Sequence, residues 1–464
     1  MTATPSPCYQ SPSGWNALLP EHAGTPLDAD MTADVIVVGA GYTGLAAARR
    51  SAELAPDDSV LVVDALTLGE GNPGRNSGFL LEVAMAEDAD ASAVARLAET
   101  NQLLAATMAE LKALVAASNV PCELERRGTY RAAVSPAARQ SLAGYRRFLD
   151  AAGLPYAALD RDALAARIGS RFYAEGLYSP DCHLAQPAAL IRALAATLPA
   201  NVQVREHAHV DQLVKDGDGW RLEAAGHQLR ARQVVLANNA FAKQLHRGAN
   251  RVVAMFTSAG ITEPLSSADQ AALGSDDNWG LLPAHRLGAT LRRTSDGRLL
   301  VRTFHSYERE ENPVDLPDRL RAYLERRFPE VTVPPFVSVW SGAVGYTQGG
   351  GPHWGALDDG LWVSAGCNGG GVVKGTLFGR VLAERALGQA GVDVERLFGA
   401  ARWLPPEPFR RLGYQLAASW QTRAGAADAL GGAGDGSGDG SGDVSGNGSG
   451  SVSVNGSMGG QRKT

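Results

Sequence analysis

The sequence predicts a chain built in two styles, α/β around a parallel sheet in one part and α+β around an antiparallel sheet in another. Three observations carry this. Residues 34–48 read as strand, glycine turn and helix, and a second apolar run at 60–63 ends in Asp64, which completes a βαβ unit. Runs at 251–263, 288–293 and 298–303 alternate or stay apolar in the manner of antiparallel strands. Helical periodicity over 84–118, 137–152, 186–198, 316–328 and 375–387 supplies the layers that would cover both sheets. At 464 residues the chain exceeds one ordinary core, so two domains are expected.

The first unit is the most specific. Val35, Ile36, Val37 and Val38 are a β-branched run. Gly39, Gly41 and Gly44 follow with G-x-G-x-x-G spacing, and Tyr42 and Thr43 open a helix continued by strong helix formers at 45–48. The glycines serve a tight turn, close backbone approach to a pyrophosphate, and close helix–strand packing. The helix aims unpaired N–H groups and its positive dipole end at the phosphates. Asp64 lies 25 residues after Gly39, where a carboxylate meets a ribose hydroxyl. No G-K-[ST] follows the glycines, which excludes a Walker loop. The unit therefore predicts a Rossmann-like dinucleotide-binding domain.

Composition narrows the class. The hydrophobic fraction is 45%, ordinary for a globular protein. A net charge of -6 argues against nucleic acid as a partner, because no general basic field exists. Cys8, Cys122, Cys182 and Cys367 are far apart and show no C-x-x-C spacing, so neither a zinc site nor a disulfide framework is expected. Residues 1–14 lack a basic region followed by an apolar core, and no run of about 20 apolar residues exists to span a bilayer. These features predict a cytoplasmic protein with no membrane span and no metal.

Along the chain, 1–32 is a Pro-rich, irregular leader, and 69–78 is a glycine-rich loop. Strands are expected at 128–134, 202–204, 220–223, 233–237, 337–344 and 361–365. From 424 to 464 the composition turns to Gly, Ser and Asp, too poor in apolar surface to offset chain entropy, so disorder is expected there. Residues 435–440 resemble the start of a calcium loop, but Gly446 stands where the twelfth-position Glu belongs.

The order of four stretches resembles the FAD-dependent D-amino-acid oxidase superfamily, in its glycine oxidase, sarcosine oxidase and γ-glutamylputrescine oxidoreductase branch. Residues 34–48 resemble the ADP-binding turn, and Gly74-Arg-Asn-Ser-Gly78 the flavin loop. Residues 233–240, Q-V-V-L-A-N-N-A, are similar to the strand often written V-V-x-A-T-N-A. Residues 366–375, G-C-N-G-G-G-V-V-K-G, are similar to the G-x-x-G-H-G segment before the last helix. The resemblance runs from about 33 to 388.

The resemblance implies a discontinuous FAD-binding domain at 33–80, 155–245 and 340–400, and an inserted substrate domain at 81–154 and 246–339. It implies oxidation of a C–N bond in an amine or amino acid by hydride transfer to flavin N5, giving an imine that water hydrolyses. The cofactor supplies the chemistry and the protein the orientation and electrostatics. Arg75, Asn76, Ser77 and Gly78 would place donors near the isoalloxazine carbonyls or the pyrophosphate. Val210 matches the residue whose backbone meets the adenine, and Ala237 would line the ADP site. Gly366, Gly369, Gly370 and Gly371 lead to a helix N-terminus that can stabilise charge near flavin N1 and C2=O. Gly370 stands where His is common.

Lys374 is a candidate anchor for a substrate carboxylate or a cation beside the flavin, although the family's lysine matches Val373. Val344 occupies the position of the cysteine that binds FAD covalently in some members, which implies noncovalent FAD. Tyr346, His305, His353 and Trp340 are candidate substrate contacts, with Tyr346 as a carboxylate donor and His305 as a proton acceptor. Val301 or Arg302 holds the place where a cation assists oxygen in some relatives, so oxygen or another acceptor would reoxidise the flavin. Two alternatives stay open on the residues alone, an NAD(P)-dependent dehydrogenase and an FAD-fold tRNA-modifying or tRNA-binding protein.

Overall fold

Two β-branched runs occupy the middle of the first sheet. β1 (Met31–Val38) and β2 (Val60–Val63) pair in parallel with Val35 opposite Val60 and Val38 opposite Val63. Ile36, Val37 and all four residues of β2 are at most 1% exposed, as strands covered on both faces require. The computed structural model describes residues 9–83, 91–285, 287–425, 427 and 428.

The first sheet continues with β9 (Val202–Arg205) beside β2, and with β12 (His227–Leu236), β11 (Gly219–Ala224) and β10 (Val210–Asp216) on the other side of β1. β19 (Leu361–Ala365) pairs in parallel with the end of β12, and β18 (His353–Asp358) pairs with β19. The second sheet runs β17 (Phe336–Tyr346), β13 (Val253–Thr262), β16 (Leu299–Tyr307), β15 (Thr290–Arg293), β14 (Trp279–Pro283), β5 (Thr129–Ala133), β7 (Glu175–Ser179) and β6 (Ala157–Asp160). All its neighbours are antiparallel except β14 and β5. A small third sheet holds β3 (Phe79–Leu81), β8 (Cys182–Leu184) and β4 (Glu125–Arg126). This is the mixed architecture expected.

Helices cover both sheets. α1 (Tyr42–Leu54), α2 (Ala91–Ser118), α5 (Pro187–Ala196) and α9 (Val373–Ala386) share one core with Val35, Val37 and Val62 on one face of the first sheet. α8 (Leu316–Arg327) buries Leu320 and Leu324 against Trp279, Leu291 and Val301 of the second. α3 (Pro136–Ala152) packs Leu142 and Phe148 beside Ala133 and Leu177. Short helices α4 (Arg161–Ile168), α6 (Ala242–Leu245), α7 (Ser267–Ala272) and α10 (Val394–Phe398) fill turns, and α11 (Phe409–Ala424) follows the body.

α1 and α9 approach as closely as backbones can. A Cβ on Gly379 would fall 2.0 Å from Thr43 O, and one on Gly44 would fall 1.8 Å from Gly39 O. The described part of the leader before β1, residues 9–30, is irregular apart from a 3-10 turn, Asn16–Leu18, and a bridge from Pro26 to Glu206, and it is threaded into the body as a strap. Trp15 is 1% exposed and donates from Nε1 to Asn76 O at 2.7 Å. Ser11 Oγ donates to Val339 O, and Gly14 lies under the Trp340 ring.

Three expectations need correction. β6 and β7 lie within the segment from 155 assigned to the cofactor domain, yet they pair into the antiparallel sheet. β6 is short and mostly exposed, so no apolar alternation marked it. The boundary at 340 falls inside β17, one continuous strand. The folded part also does not close at α9. α11 runs to Ala424, and Asp428 accepts N–H groups of Val134 and Ser135 while its carbonyl receives Arg327 Nη2. The first residues of the segment expected to be disordered are thus held by a helix cap and a buried arginine. The rest of that segment, the calcium-like stretch at 435–440, Cys8 and residues 84–90 of the expected helix lie outside the described residues.

The helix crossing generates a test. Gly379→Ala is expected to lower the unfolding free energy by roughly 2–3 kcal/mol through overpacking, read as a fall in urea midpoint at unchanged m-value. Gly413→Ala, with nothing within 4 Å of its new Cβ on α11, is expected to be neutral or slightly stabilising.

Candidate active site

A long cavity runs between the two sheets. One end is walled by the β1–α1 turn, Asp64 after β2, Val210 at the start of β10 and Ala237 after β12. The other end is walled by Thr257 on β13, Thr290 on β15, Arg302 on β16, residues 342–344 on β17, and the turn leading into α9.

At the first end, Gly39 has φ +107, and a Cβ there would sit 3.1 Å from backbone atoms of Ala237 and Asn238. Only glycine fits a positive φ at such an approach. Gly41 is the extended N-cap of α1 with no side-chain cap, so the first N–H groups of α1 point at the cavity beside Tyr42 and Thr43. Asp64 Oδ2 accepts Ala40 N at 2.7 Å and Oδ1 accepts Leu66 N at 2.9 Å. Burial pushes its carboxyl above the usual range, partly opposed by those two N–H donors. A carboxylate has about four acceptor sites, so two remain for a ligand hydroxyl.

The 69–78 loop brings Arg75, Asn76 and Ser77 to the cavity wall and spends many of its polar groups on holding itself in place. Arg75 reaches the cavity wall, but its donors are engaged elsewhere: Nε to Glu70 O, Nη1 to Ser341 O, and Nη2 to Ser11 O and Glu70 Oε2. Its guanidinium also stacks 3.8 Å from the Tyr9 ring centroid. Four of the five guanidinium N–H donors are used in these hydrogen bonds, so Arg75 clamps loop, strap and β17 together at the cavity wall. Asn76 closes the loop on itself, from Nδ2 to Pro73 O and from Gly78 N to Oδ1. Ser77 Oγ is buried on the cavity wall and has no partner, as does Asn238 Oδ1 across the cavity. Gly78 lies behind the wall at φ +80, against Arg292 Nη1 and Ala185 O.

At the second end, strand alternation decides between two residues. Val301 is fully buried in the core on one face of β16, so Arg302 faces the cavity. Arg302 Nε donates to Thr257 Oγ1 at 2.8 Å, and no carboxylate pairs with it among the described residues. Burial holds its guanidinium below the usual range, with Tyr346 and Cys367 as the nearby groups acting the other way. Gly366, Gly369 and Gly371 line the turn before α9. Two asparagines shape that turn: Asn239 Oδ1 accepts Gly366 N at 2.8 Å, and Asn368 Nδ2 donates to Gly350 O and Gly366 O. Val372 caps α9 without a side-chain hydrogen bond, and Lys374, 8% exposed, lines the cavity from the first turn. Two helix N-termini therefore face one cavity.

The structure brings together most of the residues singled out from sequence. Gly44 and Gly370 support turns but do not line the wall, and neither do Tyr346 and His305. The Tyr346 hydroxyl is 3.6 Å from where a Gly369 Cβ would be, at the rim. His305 is held neutral, its pKa pushed down to about 4 by burial, then by Arg302 and His285. An imidazole of that pKa is unprotonated at neutral pH but a weak base, with little driving force for taking a proton. His353 binds Gly248 O outside the cavity, and Trp340 donates to Arg75 O as a buried packing residue. Sequence reasoning missed Tyr9, Asn72, Asn238 and Thr257 as wall residues. Asn72 Oδ1 accepts both Tyr9 OH and Ala343 N, which ties strap to sheet. No local pattern marked Tyr9 or Thr257, and Asn72 and Asn238 stood unnamed in the 69–78 and 233–240 stretches, whereas Arg302 was visible as a cation inside an apolar run.

The cavity fits FAD: a glycine cradle that any Cβ would obstruct, two uncapped helix ends for negative charge, a carboxylate for a ribose, and two buried polar atoms lacking partners. Asp64→Ala is expected to weaken FAD binding by about 1.5–3 kcal/mol, roughly ten- to a hundredfold in Kd, measured by flavin titration of the apoprotein. His305→Gln is expected to leave the pH–rate profile between roughly pH 5 and 9 unchanged. The same depressed pKa makes His305 cost the fold stability as pH falls below the ordinary histidine value, because the unfolded chain binds the proton first. A profile break near that ordinary value that vanishes in His305→Gln contradicts this reading.

Comparison with known proteins agrees with the geometry. The model of the DAO family, FAD dependent oxidoreductase, matches residues 34–385. "Probable oxidoreductase OrdL" of Rhizobium meliloti is 25% identical over 395 residues, 83% of this chain and 90% of that protein. "Gamma-glutamylputrescine oxidoreductase" of Escherichia coli is 28% identical over 391 residues, 82% of this chain and 89% of its own. The crystal structure of glycine oxidase from Geobacillus kaustophilus superposes with TM-score 0.68 at 20% identity, covering 81% of this chain and all of that one. With the family model spanning both sheets and every wall of the cavity except Tyr9 of the strap, the chain belongs to the FAD dependent oxidoreductase family and uses FAD as its cofactor.

Proposed function

We propose that this enzyme oxidises the C–N bond of an amino acid or another amine that carries a carboxylate. The observation that carries the reading is Arg302, a half-buried cation in the cavity with no acidic partner among the described residues. Taking a charge out of water is costly unless a partner meets it, and an anionic substrate group is such a partner. Thr257 holds Nε, which leaves the terminal guanidinium nitrogens for a two-point hydrogen bond to a carboxylate. FAD held in the cavity would supply the electron sink for hydride lost from the substrate carbon, and water would hydrolyse the imine that remains.

The chain's own residues supply position and field. Lys374 and the uncapped start of α9 add positive potential on the side of the cavity opposite β16. That field lowers the amine pKa, so the neutral amine needed for hydride loss forms without a dedicated base. Neutral His305, set back from the wall, is consistent with this. Val344 on the wall offers no thiol, which supports noncovalent FAD. The family match displaces the nicotinamide alternative.

The test is anaerobic bleaching of the holoenzyme by amino acids and by the matching amines that lack the carboxylate. Carboxylate-bearing compounds are expected to reduce the flavin far faster. Arg302→Leu is expected to lose about 2–4 kcal/mol in kcat/KM for them, mostly through KM. If decarboxylated amines bleach the wild type equally well, Arg302 has no anchoring role.

A further inference from the structure

α11 lies on the body along one side only. Its residues Arg410, Tyr414, Ala418, Gln421 and Ala424 are half-buried, spaced three or four apart, and none is fully buried. Tyr414 donates to His305 O and stacks on Tyr307, Arg410 reaches Asn250 Oδ1, and Gln421 bonds His285. The opposite stripe is apolar and turned to solvent. Phe409, Leu412, Leu416 and Trp420 recur at helical spacing and are 55–67% exposed, and Trp403 just ahead of the helix is 69% exposed. These five make up all but two of the exposed large hydrophobic side chains among the described residues. An apolar patch of this kind on a polar body marks an interaction surface.

Charge identifies the occupant. Residues 399–425 contain four arginines and one acid, Glu407, in a chain of net charge -6. Arg402, Arg411 and Arg423 are exposed around the apolar stripe. A helix with Trp, Phe and Leu on one side and arginines on its flanks is the form that lies in a membrane interface and prefers anionic lipid. Trp is also the side chain most suited to the headgroup level. A second copy fits less well, because an isologous interface would set the two arginine clusters against each other. Residues 431–464 contain no Leu, Ile or aromatic residue, so the sequence there shows no apolar pattern matching the stripe.

We propose that α11 and Trp403 form a peripheral docking face for an anionic lipid bilayer. The face lies on the far side of α11 from His305 and Tyr307 at the end of β16, so the cavity wall at Arg302 is one strand segment away from the surface that meets lipid. The interaction is interfacial, and no described helix is long and apolar enough to cross a membrane.

The test is flotation of the full-length holoenzyme with phosphatidylcholine vesicles, with and without phosphatidylglycerol. The bound fraction is expected to rise about tenfold or more on anionic vesicles and to fall when salt is added. Leu416→Ser/Trp420→Ser is expected to abolish binding with FAD content and turnover unchanged. Arg411→Glu/Arg423→Glu, which keeps the apolar stripe, is expected to remove the preference for anionic lipid. The proposal is overturned if the wild type stays unbound on anionic vesicles, or if either double variant floats as the wild type does. It is also overturned if sedimentation shows a dimer that Leu416→Ser/Trp420→Ser breaks while neither protein binds vesicles.

Discussion

The site depends on how closely α1 and α9 cross. Gly44 lets α1 turn back over Gly39 O, and Gly379 lets α9 rest on Thr43 O. A methyl group at either contact would displace a helix by more than packed side chains can absorb. With both contacts made, two helices from opposite ends of the domain bring their uncapped starts to the same cavity. One end suits a pyrophosphate and the other suits the charge that develops on a reduced ring. The distance between these two fields is set by backbone contacts that no side-chain rotamer can adjust.

The parts of the fold legible in sequence were those built from local pattern. β1, β2 and α1 carry a β-branched run, spaced glycines and helix formers in succession, and Asp64 stands where spacing puts it. β13, β16 and α8 show a clear apolar period, and their observed bounds differ from expectation by a few residues. β6 and α11 were missed for opposite reasons. β6 is a short edge strand paired to β7, and of its four residues Leu159 alone is partly buried. α11 has an apolar stripe that faces solvent, so it follows a composition that otherwise looks like the end of a domain. The clamping contacts of Arg75 were not legible, because a loop sequence does not reveal which carbonyls the fold will present to it. Its partners Ser11 and Ser341 are remote in sequence.

The cavity's electrostatics run against those of the chain. The protein carries an excess of acids, yet the described wall at the β16 end holds Arg302 and Lys374 and no carboxylate. Arg292, completely buried behind the loop at Ser77 and Ala185, adds a further cation, beyond these and the wall's Arg75, whose pKa burial depresses to about 10. Its Nε and Nη2 have no hydrogen-bond partner. Asp64, the one acid on the wall, sits at the opposite end. Such separation of sign along one cavity gives an asymmetric ligand a single favourable orientation.

The strap has a consequence for how the molecule is made. Ser11 bonds Val339, 328 residues away, and Gly14 lies under Trp340. Residues near the first end of the chain therefore wait for strand β17 before they can settle. The cavity behaves likewise, because Tyr9 and Gly39 face Arg302, Val344 and Lys374 across it. A growing chain that has left the ribosome only as far as β12 has its glycine turn but no opposing wall. The walls that face the cofactor are complete only once β17 and α9 exist, and contacts of such high sequence separation belong to topologies that fold slowly.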